Sequence, residues 1–294
     1  MVTFQVFNVV THVYGDPQAH YLLNSALRYR DKNYFFSPQY KSGKWDGFTN
    51  LYNQPNEKRG YGKLLTGLLF RAKSVLTSAG IDADIQDCRQ APPQQNPLTL
   101  KLKIEDRNFQ TEQLIAAVSK TRGVIQAPTG SGKTISAAMI LAQLNLPSLF
   151  LVHKLSIFEQ TLTDFRTAFG RELVGVIQGQ RKTISRFNVA MIQTLDSALW
   201  SAADNHIKPF VNDECKVLIV DECHHSASDS YKRVIQQFTN SYYRFGLSAT
   251  PHKYQTGNNS DMQVEGLFGR VIHKIERQEL EDAGHLAKSK VFFL

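Results

Sequence analysis

The chain has 294 residues, a formal charge of +8, 42% hydrophobic and 20% charged residues, which excludes a disordered chain and leaves room for two domains with a substantial core. No apolar run approaches the roughly 20 residues of a membrane span, and Met1-Val2-Thr3-Phe4-Gln5 lacks the basic stretch and apolar segment of a secretion signal. Cys88, Cys215 and Cys223 form no Cys-x-x-Cys pair, so a reducing cytoplasm is the expected setting and buried structural thiols are their expected role.

Residues 1–90 read as a small α+β domain. Residues 4–13 alternate and predict a strand. Asp16-Pro17 has the form of a helix cap followed by proline at the first helical position. The helix is predicted to run to about Arg30 and to bury Tyr21, Leu22, Ala26 and Tyr29. Tyr34-Phe35-Phe36, a turn at Ser42-Gly43 and the run 48–52 predict a hairpin, followed by a helix over 63–79 and a strand near 83–85. Between Arg28 and Lys73 ten lysines or arginines stand against three acids. That excess favours a polyphosphate partner, nucleic acid first, with a solvated basic surface as the plain alternative. At the turn, Lys41 and Lys44 flank Trp45. Either the lysines pair with phosphates while the indole stacks on an exposed base, or Trp45 packs into the small core. Residues 91–97, with three prolines, read as an extended linker.

From residue 98 onward strands and helices alternate: strand 123–126, helix 135–144, strand 148–152, helix 156–169, strands 174–177 and 189–192, then strands 216–220 and 243–248. This order predicts a parallel α/β sheet. Between the first strand and its helix lies Ala127-Pro128-Thr129-Gly130-Ser131-Gly132-Lys133-Thr134. Clustered phosphates demand converging N–H donors, a cation and a magnesium site. A loop from Thr129 to Gly132 feeding a helix supplies the donors, Lys133 the cation and Thr134 a magnesium ligand. The run 216–220 is apolar on both faces, as a central parallel strand is, and it ends on Asp221-Glu222-Cys223-His224. Asp221 is expected to hold the metal and Glu222 to orient and deprotonate water. ATP and Mg2+ are therefore the expected ligands. Cys223, His224 and His225 have no second ligand cluster at metal spacing, so zinc is not expected.

Gln110 precedes the phosphate loop, His153-Lys154 ends one strand, Gln193-Thr194 follows another, and Ser248-Ala249-Thr250-Pro251 closes the series. The whole series resembles the first motor lobe of superfamily 2 helicases and translocases, in which alanine at the position of Ala127 is common. Lys44-Trp45-Asp46-Gly47, with Tyr61-Gly62-Lys63-Leu64-Leu65 downstream, is similar to the N-terminal domain of the phage UvsW-type helicases, which act on branched DNA and R-loops. The resemblance implies an α/β chain: a RecA-like parallel-sheet P-loop NTPase lobe over 98–285, preceded by the α+β domain. It implies that Gln110 reads the adenine edge, with Arg107 or Phe109 against the ring face. Gly130, Gly132, Lys133 and Thr134 would cradle phosphates and metal. His224 would lie near the nucleotide and, with Ser248 and Thr250, couple it to DNA. His153, Lys154 and Thr194 would touch the tracking strand. Branched or forked DNA is the implied partner, in recombination, replication or repair, in a bacterial or phage-infected cytoplasm. The plain alternatives are that Gln110 caps its helix, that His153-Lys154 is a solvated strand end, and that Ser248 to Thr250 is a simple turn.

Such motors close a second lobe carrying arginine fingers over the nucleotide. After Thr250 only Arg270 and Arg277 occur, neither in the family's Gln-x-x-Gly-Arg-x-x-Arg setting, and residues 286–294 read as the approach to a second lobe. The chain is thus expected to be the N-terminal portion of a longer motor that binds nucleotide and DNA but hydrolyses ATP weakly alone. A nucleotide-regulated DNA-binding module is the rival from another class. A phosphate-loop kinase leaves Gln110 and Ser248-Ala249-Thr250 without a purpose.

Overall fold

The computed structural model describes residues 1–30, 33–101, 107–250 and 260–287. They form two compact units, one of residues 1–30, 33–91 and 260–269 and one of residues 92–101, 107–250 and 270–287. The apolar run predicted near residues 291–294 lies outside the described residues.

In the first unit the strands are β1 (Val2–Val6), β2 (Val10–Tyr14), β3 (Arg28–Arg30), β4 (Phe48–Asn50), β5 (Tyr52–Asn53), β6 (Gly62–Leu65) and β7 (Ala83–Asp87). Five of them make a sheet in the order β5-β6-β2-β1-β7, and β3 and β4 form a separate antiparallel ribbon. Phe4, Val6, Val13 and Leu64 bury one sheet face against Leu23 of helix Pro17–Ala26 and Ala72 and Leu76 of helix Leu69–Ser78.

Several sequence expectations change here. The single strand over 4–13 is a hairpin, closed where the Phe7 N–H donates to the Val10 carbonyl at 3.0 Å. Asp16 does cap the first helix, accepting from the Ala19 N–H at 2.8 Å. That helix stops at Ala26, however, and residues 28–30 become a strand because Phe48–Asn50 pairs with them. Its buried face is Ala19, His20 and Leu23, whereas Tyr21 is 69% exposed and Ala26 is exposed. His20 is tolerated inside because its Nδ1 bonds to the Tyr52 hydroxyl. Tyr34–Phe36 is a 3-10 turn and Pro38–Lys41 a single helical turn, so the predicted hairpin does not form. The helix predicted from 63 starts at Leu69, since residues 62–65 pair with β2 and β5.

A helix from late in the chain completes this unit. Ser260–Phe268, which the sequence reading placed inside the 98–285 lobe, packs beside Gly67. A Cβ on Gly67 would stand 1.9 Å from the Glu265 carbonyl oxygen, so only glycine allows the approach. Arg71 pairs with Glu265 at 2.5 Å, and Gln263 bonds to the Tyr29 hydroxyl.

The second unit is an eight-stranded sheet: β8 (Arg122–Gln126), β9 (Ser148–Val152), β10 (Val174–Gln178), β11 (Arg181–Thr183), β12 (Phe187–Met191), β13 (Val217–Val220), β14 (Tyr243–Ser248) and β15 (Val271–Lys274). Its order is β11-β10-β12-β9-β13-β14-β8-β15, and every neighbouring pair is parallel except β10 with β11. All residues of β9 and β13 are buried, as doubly covered strands should be. Helices Asn108–Lys120, Lys133–Leu144 and Leu155–Phe169 add Ala117, Ile140, Leu141, Phe158 and Phe165 to the core. The fully buried Arg244 on β14 is satisfied by donating to the Phe238 and Ile235 carbonyls, each at 2.9 Å. The proline-rich stretch belongs to this unit: Asn145 donates to the Asn96 carbonyl, and the Leu98 N–H donates to the Ala142 carbonyl, both at 2.9 Å. Among the described residues no helix is long and apolar enough to cross a membrane.

Candidate nucleotide site and coupling residues

The site is assembled at the carboxyl ends of parallel strands, where ligands of open α/β sheets gather. β8 runs into the loop at Ala127, and the helix Lys133–Leu144 begins directly after it. Gly130 and Gly132 hold φ of +83° and +86°, a left-handed backbone that favours glycine. Gly132 is the residue before the helix, and its carbonyl takes the N–H groups of Ile135 and Ser136 at 2.9 and 3.1 Å. The first turn therefore stands with its N-terminus at the loop, the arrangement that attracts anions. Thr129 is exposed, the Ser131 hydroxyl is buried without a hydrogen-bond partner among the described residues, and Thr134 sits half-buried in the first helical turn.

Lys133 Nζ is loosely held, 3.4 Å from both the Ala127 and Pro128 carbonyls and 3.7 Å from Glu222 Oε1. β13 delivers the acidic pair. Asp221 is 7% exposed, and burial, then the Glu222 charge, push its carboxyl up to about 6 against the opposing pull of Lys133. Glu222 adopts φ +47°, ψ 52°, a conformation costing a non-glycine residue about 1–3 kcal/mol. In that conformation its carboxylate also reaches β14. The Ser248 hydroxyl donates to Glu222 Oε2 at 3.4 Å, and His224 Nδ1 lies 2.9 Å from Ser248 Oγ and 3.3 Å from Glu222 Oε2. The Thr250 N–H then donates to Ser248 Oγ at 3.2 Å. Lys133, Glu222, His224, Ser248 and Thr250 are thus one connected set.

Gln110 is 2% exposed and donates from Nε2 to the Gly132 carbonyl at 3.4 Å, so its amide is spent on the loop and not on capping its own helix. Phe109 is 8% exposed and packed with Ala127, Ile275 and Leu280, which leaves little ring face for stacking, while Arg107 is half-buried beside Gly132.

At the ends of β9 and β12 a second group gathers. The His153 ring meets His225 at a tilt (centroids 4.4 Å apart, planes 50° apart), and His225 meets His224 at 4.2 Å with planes 41° apart. Both His153 ring nitrogens are buried without a hydrogen-bond partner among the described residues, and burial, then the charge of Lys154, lower its pKa. Lys154 is exposed. Gln193 donates to the His153 carbonyl at 3.4 Å, and the Thr194 hydroxyl accepts from the Gly179 N–H at 3.1 Å. Sequence reasoning assigned no role to His225 or Gln193. Their signal was adjacency to His224 and Thr194, and only the fold brings them against His153.

In the first unit Lys41 and Lys44 are exposed. Trp45 is half-buried, and its indole N–H donates to the Phe48 carbonyl at 2.7 Å, so it is tied to the turn. Arg28 and Arg30 lie over the Phe48 ring at 4.5 and 4.8 Å.

Residues 99–253, more than half of the chain, match the family described as "Type III restriction enzyme, res subunit". The chain belongs to this family. With it goes membership of the superfamily 2 helicases and translocases. The chain is 23% identical over 290 residues to the "ATP-dependent DNA helicase uvsW" of Enterobacteria phage T4, covering 92% of this chain and 55% of that one. It is 30% identical over 195 residues to the "DNA 3'-5' translocase XPB2" of Sulfurisphaera tokodaii, covering 65% and 40%. The crystal structure of the UvsW helicase from bacteriophage T4 matches with a TM-score of 0.73 at 18% identity, over 92% of this chain and 98% of that one. The second unit is therefore a RecA-like P-loop lobe, and the smaller α+β unit is built mostly from the residues that precede it. The chain spans about half or less of the length of these curated relatives.

Proposed function

We propose that this superfamily 2 chain is the nucleotide- and DNA-engaging N-terminal part of an ATP-dependent DNA helicase or translocase acting on branched or forked DNA, in recombination, replication or repair. The observation that carries the reading is the contact series from Lys133 through Glu222 to Ser248, His224 and Thr250. It ties a phosphate loop to the ends of two neighbouring strands, which is what a motor needs to pass nucleotide state onward.

Each residue has a role in that reading. Gly130, Ser131, Gly132 and the helix N-terminus receive the phosphates, with Thr129 at the exposed side of the loop. Lys133, loosely held at 3.4 Å or more, is free to turn from the two carbonyls to a phosphate. Thr134 and Asp221 would hold magnesium, and a buried carboxyl raised by a second carboxylate beside it suits a cation. The ion, when bound, would neutralise phosphate charge. Glu222 orients water and accepts its proton, steadied by Ser248 and His224. Gln110, already at the loop, senses the base side together with Arg107; Phe109 supports them from the apolar cluster. His153, Lys154 and Thr194 meet the DNA backbone, and Lys41, Lys44 and Trp45 add contacts from the first unit. A second lobe, from the rest of a longer protein, brings arginine fingers worth about 10³–10⁵ in rate.

The test is steady-state ATPase of the longer protein with forked and linear DNA. Glu222→Gln is expected to keep ATP and DNA binding while losing about 10²–10⁴ in turnover. Near-normal turnover in that variant rejects the assignment, and a wild-type protein without DNA-stimulated turnover leaves a regulated binding module instead.

A further inference from the structure

The sheet of the first unit has two unlike faces. Val2, Phe4, Val6, Val13 and Leu64 enter the core, so strand alternation turns Thr3, Gln5, His12, Tyr14 and Lys63 to the other side. Register then lines up Asn53, Lys63, His12, Gln5 and Gln86 in one row across all five strands. Gln5 and Gln86 are joined through their amides at 3.4 Å.

Rings lie along this row outside any core. Tyr61 stacks on His12 with centroids 4.1 Å apart and planes 28° apart, Phe7 meets His12 at 4.9 Å, and Tyr14 meets Tyr61 at 5.4 Å. The Arg59 guanidinium lies 5.7 Å from the Tyr61 ring, anchored by donating to the Tyr61 and Gln54 carbonyls at 2.9 and 2.7 Å. Tyr14 is 37% exposed. Charge is graded across the face. Arg59 and Lys63 stand at the β6 side, and the acid of the face, Asp84, is on β7 at the opposite edge. The nearby cations, after burial, hold the His12 pKa down, which keeps a neutral ring in the stack. Planar groups flanked by cations suit unpaired bases on a phosphate chain, because stacking tolerates any base while the cations follow the backbone. A duplex keeps its base faces inside and offers this surface only phosphates.

We propose that this outer sheet face, centred on His12 and Tyr61 and flanked by Arg59 and Lys63, binds single-stranded DNA, separately from the turn bearing Lys41, Lys44 and Trp45. The inference rests on the reading that the protein engages DNA and adds the strand form and the surface.

The experiment is fluorescence anisotropy of the whole chain with a labelled oligo-dT of about 12 nucleotides, within the site size of such platforms, and a duplex of the same length. Tyr61→Ala is expected to weaken oligo-dT binding roughly 5- to 150-fold and duplex binding less than about twofold. Tyr61→Phe, which keeps the ring, should bind as wild type. Lys63→Gln should lower the salt slope for oligo-dT by about 0.7. Melting curves establish that each variant is folded. A folded Tyr61→Ala with undiminished oligo-dT affinity overturns the proposal, as does a wild-type chain that binds duplex but not oligo-dT. A wild-type chain that takes Mg–ATP but neither DNA form overturns the DNA reading beneath it and leaves the nucleotide site standing.

Discussion

Replacing Gly132 by alanine separates the phosphate loop's geometry from its chemistry. At φ +86°, ψ 34°, an alanine pays about 1–2 kcal/mol for the left-handed backbone. Its Cβ would also stand 2.8 Å from Gln110 Nε2. The Gln110 amide is the far end of a flexible side chain and can retreat, but retreat breaks its bond to the Gly132 carbonyl, costing a further ~0.5–1.5 kcal/mol. The sum is about 1.5–3.5 kcal/mol, a fall of about 3–14 °C in melting temperature for a unit of this size. Gly179→Ala is the control: φ is +56° and nothing lies within 4 Å of the new Cβ, so it carries the backbone cost alone. Differential scanning calorimetry of both variants, with Mg–ATP titrations, gives the two readouts. Gly132→Ala should melt below Gly179→Ala and lose nucleotide affinity, whereas Gly179→Ala should keep it. Equal melting and full nucleotide affinity in Gly132→Ala would refute the coupling of Gln110 to the loop.

Asp221→Asn should stabilise the metal-free protein. The folded carboxyl titrates at about 6 instead of 3.8, so the native state binds that proton more tightly than the unfolded chain. The ionisation penalty is fully present above pH 6 and vanishes as pH falls through 4, with an upper size of about 3 kcal/mol. In chelator the variant should melt higher than wild type at pH 7.5 and converge with it near pH 4; identical curves at both pH values contradict the burial argument. Lys44→Ala, at an exposed site, should weaken binding to all duplex sequences alike and lower the salt slope by about one. Trp45→Ala removes a half-buried ring and its bond to the Phe48 carbonyl, and should harm forked DNA more than linear duplex. Equal losses on both forms, tracking a lowered melting temperature, would make Trp45 structural.

The phosphate loop and the acidic pair were legible because their chemistry dictates local order: strand, glycine turn, cation and helix, then an apolar strand ending on Asp221-Glu222. The central strands were legible for a related reason, since β9 and β13, buried on both faces, read as unbroken apolar runs. What stayed hidden depends on distant partners. Arg28–Arg30 and Arg181–Thr183 are polar and become strands only by pairing with Phe48–Asn50 and Val174–Gln178. The first helix offers Tyr21 and Leu22 as plausibly as Leu23, and the Tyr52 hydroxyl, 32 residues away, decides for the face bearing His20. Helix Ser260–Phe268 joins the first unit through Gly67, Arg71 and Tyr29, contacts that no periodicity reports. At the site, the left-handed turn at Glu222 and the tilted contact of His153 with His225 arise from strand order, which places β13 between β9 and β14.

The most direct measurement is calorimetric titration of Mg–ATP into the chain and into Lys133→Ala, with melting curves for both. Among the described residues Lys133 Nζ has only carbonyl contacts at 3.4 Å and Glu222 at 3.7 Å to give up, so its loss should leave the fold intact. A hydrogen bond from a charged donor is worth about 1.5–3 kcal/mol, so the folded variant should bind Mg–ATP about 10- to 150-fold more weakly than wild type. A folded Lys133→Ala with unchanged affinity would contradict the assignment of this loop as the nucleotide site.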